Sequence, residues 1–293
     1  KNFLENLRLL IDHHNAPIYT ISYYLHWQLM RSIKTEDYKV TISGTAADEL
    51  FTGYYDHHNL YLQEVSKNKS LYENSLDAWY RYQENIVRNP FLKDPNLYIK
   101  NPEFRDHIFM HNEIFASFLK EKWNDPFTEI NYSKSLLRNR MLNEMFNEIV
   151  PVILHEDDLN AMYFSMENRS PFLDSNLFDL AYSIPSQLLI KDGMTKAILR
   201  DAMKGIVPDI ILEEKRKVGF NASILDLLDL NDTNTKDYLL DDSKVFDLVK
   251  KESIEGMLNI DNIKKSNTDS KFLFNFINTK MFLESQITNQ PLF

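Results

Sequence analysis

Residues 39–54, KVTISGTAADELFTGY, decide which fold class the sequence predicts. The segment from Lys39 to Ser43 is short and β-branched and stops at Gly44, which predicts a strand that ends in a tight turn. The acidic pair Asp48 and Glu49 follows a few residues later. In open α/β sheets, ligands bind beyond the carboxyl ends of strands. This stretch therefore predicts a ligand site at the tip of a strand in an α/β fold.

Three residues of this stretch offer groups that suit a nucleotide. Ser43 offers a hydroxyl and Gly44 an unobstructed backbone N–H to a phosphate or a ribose. Asp48 is a hard oxygen ligand of the kind that magnesium prefers. The structural alternative is that Asp48 and Glu49 fill the first turn of a helix, where the helix dipole favours acids. Because the chain has only six glycines, we also expect Gly44, Gly53 and Gly219 to meet backbone requirements.

The rest of the chain is predicted to be mostly helical. An amphipathic helix after Pro17 has apolar residues at spacings of three and four, namely Ile18, Ile21, Leu25, Leu29 and Ile33. Further helical patterns cover 57–69, 73–88, 109–121, 133–148, 173–183 and 195–204. A last helix has one apolar face made of Leu273, Phe276, Ile277 and Met281. The acidic stretch 226–247 lacks the ligand spacing of a calcium loop and is predicted to be a solvated helical face.

Basic residues converge toward Gly219 in an otherwise acidic protein. They are Lys196, Arg200, Lys215 and Lys217. Such a cluster could clamp a polyphosphate, because charged donors bind phosphate oxygens strongly. The alternative is that these cations compensate the C-terminus of a helix.

A second charged segment is interpreted as structural. Glu167 and Arg169 are predicted to flank the end of a helix, and Pro171 favours an extended turn after them. Asp174 is then placed to cap the next helix. Charged residues before such a turn usually fix a loop.

Two histidine pairs, His57–His58 and His107–His111, raise the question of a zinc site. Neither pair has a nearby third ligand in an HExxH-type pattern, so the sequence argues against a metal role for them.

Composition excludes several classes of function. The 293 residues carry a net charge of −10, which argues against a general nucleic-acid binder. No apolar run approaches the roughly 18–20 residues that span a bilayer, so we expect no membrane association. The absence of cysteine removes disulfides, thiolate–metal sites and a cysteine nucleophile from these residues, and fits a cytoplasmic location.

Five segments in this order resemble the synthetase domain of the asparagine synthetase family. That family shows Ser-Gly-x-Gly-Ala-Asp-Glu-Leu-Phe-x-Gly-Tyr, Asp-x-x-Ser-Met, Glu-x-Arg-x-Pro-Phe-Leu-Asp, Lys-x-x-Leu-Arg and Arg-x-Lys-x-Gly-Phe. The corresponding segments here begin at Ser43, Asp158, Glu167, Lys196 and Lys215. One such motif alone would be weak support for the resemblance, but five in order across residues 43–220 make the probability of a chance match very small.

The resemblance implies a reaction, two cofactors and a set of site residues. A carboxylate attacks the α-phosphate of ATP to give an acyl-adenylate and pyrophosphate, and ammonia then displaces AMP to form an amide. By position, Asp48 would hold Mg²⁺ and take part in catalysis, and Ser43 and Gly44 would contact the nucleotide. Lys217 would stabilise the pyrophosphate and the transition state, supported by two further nucleotide-site residues, Lys196 and Arg200. Glu167, Arg169 and Asp174 would either support the residues that contact the ligands or be architectural.

The resemblance has gaps and departures. The family's pyrophosphate loop, Ser-Gly-Gly-x-Asp-Ser, and its adenine-binding strands lie upstream of the first motif and are absent here, so we expect these residues to be a C-terminal part of a longer protein. The N-terminal cysteine of the family's glutaminase domain is absent too, so ammonia would come from an upstream domain or from another chain. Thr45 stands where the family commonly has an acid linked to the ammonia step, and a threonine cannot accept a proton as a carboxylate does. Lys215 replaces an arginine.

The resemblance leads to the following expectations. The fold would be α/β, with an adenine-nucleotide α-hydrolase-like parallel sheet and a large helical part. Residues 1–220 would form the synthetase domain and residues 221–293 its C-terminal helical extension. The function would be asparagine-synthetase-like amidation of a small carboxylate, aspartate first, in a possible homo-oligomer. The alternatives are another carboxylate, such as a uronic acid in surface-polysaccharide synthesis, and a helical binding module without turnover.

Overall fold

The computed structural model describes residues 3–108, 112–122, 126–217, 219–220, 222–258 and 267–288. Its sheet has two parallel strands, β1 (Val40–Ile42) and β2 (Glu167–Arg169), with Thr41 opposite Asn168. The backbone N–H of Ser43 donates to the Arg169 carbonyl at 2.8 Å and extends the pairing past Ile42. The strand predicted at residues 39–43 is therefore present. Glu167 and Arg169, predicted at the end of a helix, instead form its partner strand.

Most of the described residues are helical, as the sequence predicts. The helices in chain order are α1 (Phe3–His14), α2 (Ile21–Thr35), α3 (Ala47–Phe51), α4 (Tyr55–Val65), α5 (Lys69–Tyr82), α6 (Leu97–Lys100), α7 (Asn112–Ala116), α8 (Leu136–Asn143), α9 (Val150–Met162), α10 (Ser175–Ser183), α11 (Ala197–Ala202), α12 (Asp209–Leu212), α13 (Thr233–Leu240), α14 (Val245–Leu248), α15 (Lys251–Met257) and α16 (Asn267–Thr288). A π-helical turn, Glu144–Glu148, follows α8 directly. Among these elements, no helix is both long enough and apolar enough to cross a membrane.

The largest apolar core joins the first two helices to the C-terminal third of the chain. Helix α16 contributes the predicted face, including Leu273 and Ile277, both fully buried. The acidic stretch 226–247 contains α13 and α14, and its aspartates are exposed, so the predicted solvated helical face is confirmed. Apolar side chains between the aspartates, such as Leu239, enter this core, which the sequence did not predict.

Helix α2 has the predicted position and a different buried face. Its buried residues are Ile21, Tyr24, Trp27 and Met30, whereas Leu29 is 44% exposed. The aromatic residues form the stripe because they bury more surface than the leucines that the prediction counted. Helix α2 packs mainly against α9, the helix that leads into β2.

A smaller core holds α3 in place beside the sheet. Leu50 and Phe51 of α3 are buried with Met145, Val150 and Ala181. These contacts fix the apolar side of a five-residue helix that is too short to be stable alone. The first turn of α3, which carries Asp48, is thereby held near the end of β1.

Candidate active site

The turn between β1 and α3 places Asp48 at the start of a helix. Ala46 has φ +77°, a left-handed conformation, and α3 begins at the next residue. Asp48 and Glu49 lie in the first turn of α3, as the structural alternative predicted. The same geometry brings Asp48 near the end of β1, and its role toward magnesium stays a prediction.

Asp48 contacts two lysines that are far away in the sequence. Its Oδ2 lies 2.7 Å from Nζ of Lys217, and its Oδ1 contacts Nζ of Lys196. All three side chains are partly exposed, at 24% for Asp48, 28% for Lys217 and 23% for Lys196. Burial would raise the pKa of Asp48, but the ammonium groups of Lys217 and Lys196 outweigh it and lower that pKa below its usual value. We call these three residues the lysine–aspartate cluster; it contains two basic side chains and one acidic side chain, which is a formal excess of one positive charge.

Lys196 reaches this cluster through an unusual backbone conformation. It precedes α11 and has φ +56°, and its N–H donates to the carbonyl of Phe51 at 3.1 Å. Thr52 also has a positive φ, +70°, although β-branched residues rarely adopt one. Two strained residues therefore meet where α3 ends, which is a feature that concentrates at functional sites.

Gly53 is required by its close contact with Asp48. A Cβ atom at Gly53 would lie 1.9 Å from Oδ1 and 2.7 Å from Cβ of Asp48, well inside van der Waals contact. The prediction that backbone geometry demands glycine is confirmed here. At Gly44 and Gly219 a Cβ would meet no atom within 4 Å, and neither has a positive φ, so packing does not explain those glycines.

Ser43 lies in a small group of hydroxyls at the tip of β1. Its Oγ is 3.0 Å from Oγ1 of Thr45 and 2.9 Å from Oγ of Ser170. Gly44 follows with open space around it. The side chains of Ser43 and Thr45 are thus available as a polar surface next to the start of α3, and their contact with a nucleotide stays a prediction.

The basic residues divide into two groups rather than forming one clamp. Lys196 and Lys217 meet at Asp48, whereas the Arg200 guanidinium donates to the carbonyls of Thr195, Ile211 and Leu212. Lys215 lies 4.0 Å from the centre of the Tyr82 ring. Arg200 therefore braces the backbone around α11 and α12, and its role toward a nucleotide stays a prediction.

The structure adds Tyr54, which the sequence did not single out as a functional residue. Its ring centre lies 3.5 Å from Nζ of Lys217, and its hydroxyl donates to Oε1 of Glu49 at 2.5 Å. The only available signal was its place at the end of the first motif.

In the second charged segment, the contacts of the side chains are structural ones. Glu167 and Arg169 pair with each other in the solvent, with side chains about 60% exposed. Asp174 caps α10 by accepting from the N–H groups of Asn176 and Leu177, as predicted. Pro171–Leu173 forms the turn between β2 and α10.

A second ionic group, which we call the buried network, lies behind α3. It joins Asp56, His57, Arg140 and Glu144, with side chains 0–8% exposed. Burial would raise the pKa of Asp56, but His107, His57 and Arg140 together hold that pKa far below its usual value. His107 was predicted to form a pair with His111, which lies outside the described residues.

Three ligand types in this network, Asp56, His57 and Glu144, lie close enough to hold a metal ion. Their atoms are already paired, however. Nδ1 of His57 accepts from the Gly53 N–H at 3.2 Å, and its Nε2 donates to Glu144 at 2.8 Å. Arg140 lies 3.0 Å from Glu144, and its cation would repel a metal. The network is therefore explained by hydrogen bonds and ion pairs.

The lysine–aspartate cluster is a partly exposed surface rather than an enclosed pocket. An open cavity of about 260 Å³ lies nearby, beside α11, and its lining includes Lys191, Arg200 and Leu212. Neither Asp48 nor Lys217 lines that cavity. Within the described residues, the lysine–aspartate cluster is thus a charged surface, and its role as a nucleotide site stays a prediction.

The sequence matches known proteins over most of its length. The family model of asparagine synthase matches residues 1–283. Asparagine synthetase [glutamine-hydrolyzing] 1 of Bacillus subtilis is 29% identical over 199 residues, covering 63% of this chain and 31% of that protein. Asparagine synthetase [glutamine-hydrolyzing] 3 of the same organism is 25% identical over 186 residues, covering 64% of this chain and 27% of that protein. A protein named putative asparagine synthetase [glutamine-hydrolyzing] of Mycobacterium bovis is 28% identical over 211 residues, covering 64% of this chain and 30% of that protein.

The chain spans about a third of the length of the curated relatives it matches. The motifs at Ser43, Glu167 and Lys196 lie within the range matched by the family model, and the structure brings two of them together at Asp48. The chain belongs to the asparagine synthase family.

Proposed function

We propose that this chain provides part of the active site of an ATP-dependent ligase that amidates a small carboxylate. The observation that carries the proposal is the contact of Lys196 and Lys217 with Asp48, at the tip of β1. The positive excess of this cluster suits a polyphosphate, and its partial exposure leaves it accessible.

The proposed reaction has two steps. An oxygen of the substrate carboxylate bonds to the α-phosphorus of ATP, and the bond from that phosphorus to pyrophosphate breaks. Ammonia then bonds to the acyl carbon, the bond to AMP breaks, and the nitrogen loses a proton. Lys217 and Lys196 would stabilise the negative charge that builds on the α-phosphate and on the departing pyrophosphate, which is the main contribution a fixed cation makes.

Asp48 has the right chemistry for Mg²⁺ bound together with phosphates. Magnesium is usually held by one or two carboxylates, substrate phosphates and water, so a single partly exposed aspartate fits. Both Asp48 oxygens contact ammonium groups, and we propose that the lysines turn to the phosphates as the carboxylate takes the metal. Magnesium would supply further charge neutralisation there.

The two-stranded sheet suggests how the nucleotide site is completed. Parallel sheets are normally covered on both faces, yet Val40 is 41% and Ile42 75% exposed. The curated relatives are about three times as long as the matched segment. We propose that further strands of an adenine-nucleotide α-hydrolase-like sheet, with the pyrophosphate loop, lie against β1 and enclose the adenosine.

Aspartate is the first substrate to test, because the relatives are asparagine synthetases by name. Thr45 favours testing other carboxylates as well. Its hydroxyl shares a hydrogen bond with the Ser43 hydroxyl at the tip of β1. Unlike a carboxylate at this position, it cannot act as a general base. Ammonia would come from a glutaminase domain of the same protein or of another chain.

The proposal is tested with full-length protein, ATP, Mg²⁺, ammonia and a panel of carboxylates that includes aspartate and a uronic acid. With an ¹⁸O-labelled carboxylate, we expect pyrophosphate release and one ¹⁸O atom in AMP. If ¹⁸O appeared in inorganic phosphate and ADP were the product, the intermediate would be an acyl phosphate instead of an acyl-adenylate. No nucleotide turnover with any carboxylate would contradict the enzyme and favour a binding module.

A further inference from the structure

Lys217 lies in a segment with no regular structure to fix its side chain. Residues 213–217 belong to neither a helix nor a strand. The position of the Lys217 ammonium group is therefore set by what it touches, which is the Asp48 carboxylate at 2.7 Å and the face of the Tyr54 ring at 3.5 Å. A cation is attracted to the electron-rich face of an aromatic ring at this distance.

The Tyr54 ring is held at both ends. Its hydroxyl donates to Glu49, which is only 4% exposed. The position of Glu49 on α3 is fixed by the apolar contacts of its neighbours Leu50 and Phe51. On the other side, the Gly53 N–H donates to His57, and the Tyr54 ring packs edge-on against the His57 ring at 5.2 Å. Burial raises the pKa of Tyr54, and the charges of Glu49 and Asp48 raise it further, so the hydroxyl remains a donor.

We propose that Tyr54 is a positioning residue for Lys217, an inference that rests on the proposed function. Asp48 would hold Lys217 only until a metal ion takes the carboxylate oxygens. The neutral ring does not compete for the ammonium as an anion does, so it keeps Lys217 over the site while the ammonium turns toward phosphate. Glu49 and His57 fix the ring, and Tyr54 itself transfers no proton.

The test compares Tyr54→Leu with Tyr54→Phe in the full-length protein. Tyr54→Leu removes the ring, and we expect kcat for pyrophosphate release to fall about 10- to 100-fold, because small misplacements of a catalytic group are costly. Tyr54→Phe keeps the ring and is expected to stay within about threefold of the original kcat. Tyr82→Leu is the matched control, because it removes the ring beneath Lys215, 4.0 Å away, and we expect its kcat to be unchanged.

A second measurement does not depend on turnover. Lysines are reductively methylated with ¹³C-formaldehyde, which keeps their charge, and the Lys217 signal is assigned with Lys217→Arg. The ring current of Tyr54 should move this signal upfield in the original protein and in Tyr54→Phe, and the shift should vanish in Tyr54→Leu. A Lys217 signal unchanged in Tyr54→Leu, or a kcat equal to that of Tyr82→Leu, overturns the inference.

The two measurements also separate this inference from the proposed function. If the original protein releases no pyrophosphate with any carboxylate, the proposed function fails, and the methyl-lysine spectra still decide whether Tyr54 holds Lys217. If turnover is present and the spectra do not respond to Tyr54→Leu, the positioning role fails and the ligase proposal stands.

Discussion

The lysine–aspartate cluster and the buried network use similar charges for different ends. In the first, one carboxylate is shared by two lysines, and each side chain is about a quarter exposed. In the second, Arg140 is surrounded by carboxylates, and its own side chain is 4% exposed. Exposed charges with one excess cation can exchange partners for a ligand, whereas buried charges that neutralise one another hold the fold.

This comparison predicts its largest effect for Arg140→Met. The change leaves the carboxylates of Glu129, Glu144 and Glu148 without their shared cation. Breaking a buried ion pair from one side costs about 3–5 kcal/mol, so the free energy of unfolding in urea should fall by that amount. The matched control is Arg81→Met, which breaks the exposed pair with Asp77 and should leave the urea midpoint unchanged. Equal midpoints for the two variants would contradict a structural role for the network.

Lys217→Ala should have the opposite pattern. It removes a cation proposed to act on the phosphates, and pyrophosphate release should fall about 10²–10³-fold, as for other transition-state donors. The urea midpoint should stay close to the original, because the side chain is partly exposed. Lys204→Ala, at an exposed pair with Asp201, serves as the control with unchanged release. Unchanged release in Lys217→Ala would remove this lysine from the reaction.

Gly53→Ala should affect both properties, because Gly53 links the two groups. The added Cβ would lie 1.9 Å from Oδ1 of Asp48, so the carboxylate or the loop must move. We expect a loss of about 1–3 kcal/mol in stability from overpacking and about tenfold in pyrophosphate release from misplacement. Gly256→Ala in α15, where a Cβ meets nothing within 4 Å, is the control and should raise stability slightly. Normal activity in Gly53→Ala would show that the close contact is dispensable.

The smallest effect is expected at Glu156, a buried carboxylate that lacks a partner like the Arg140 guanidinium. Glu156 is buried beside His14, at 3.7 Å, without a permanent cation, and burial raises its pKa to about 7. Its folded pKa therefore lies above its unfolded value near 4.5, so its contribution to stability is complete below pH 4.5 and is lost as pH rises through 7. Glu156→Gln should gain about 1–2 kcal/mol at pH 8, after allowance for solvent screening, and nothing at pH 4.5. Urea titrations at the two pH values check this, and an equal effect at both would contradict it.

The sequence pointed to Asp48, Lys196 and Lys217, which the structure brings into contact, but it predicted the elements around them less completely. β1 and the cap at Asp174 have strong local signals, namely a β-branched run and a carboxylate before a helix. Strand β2 was missed because Glu167 and Arg169 are exposed and polar, and only pairing with β1 makes this segment a strand. Local propensity contains no information about such a partner.

The buried network could not be predicted, because its members are distant in sequence. His57 and Glu144 are 87 residues apart and meet only when α4 packs against α8 and the turn after it. The contact of Asp48 with Lys217 spans 169 residues, yet shared family motifs pointed to both residues. The remaining site residue, Tyr54, emerged only from the side-chain geometry around Lys217.

Asp48 and Lys217 are proposed to act together on the phosphates of a nucleotide. The most direct measurement is a crystal structure of the full-length protein with Mg²⁺ and a non-hydrolysable ATP analogue. We expect the Lys217 ammonium to contact a phosphate oxygen and an Asp48 oxygen to bind the metal. Phosphates bound elsewhere, with Asp48 still paired to both lysines, would contradict it.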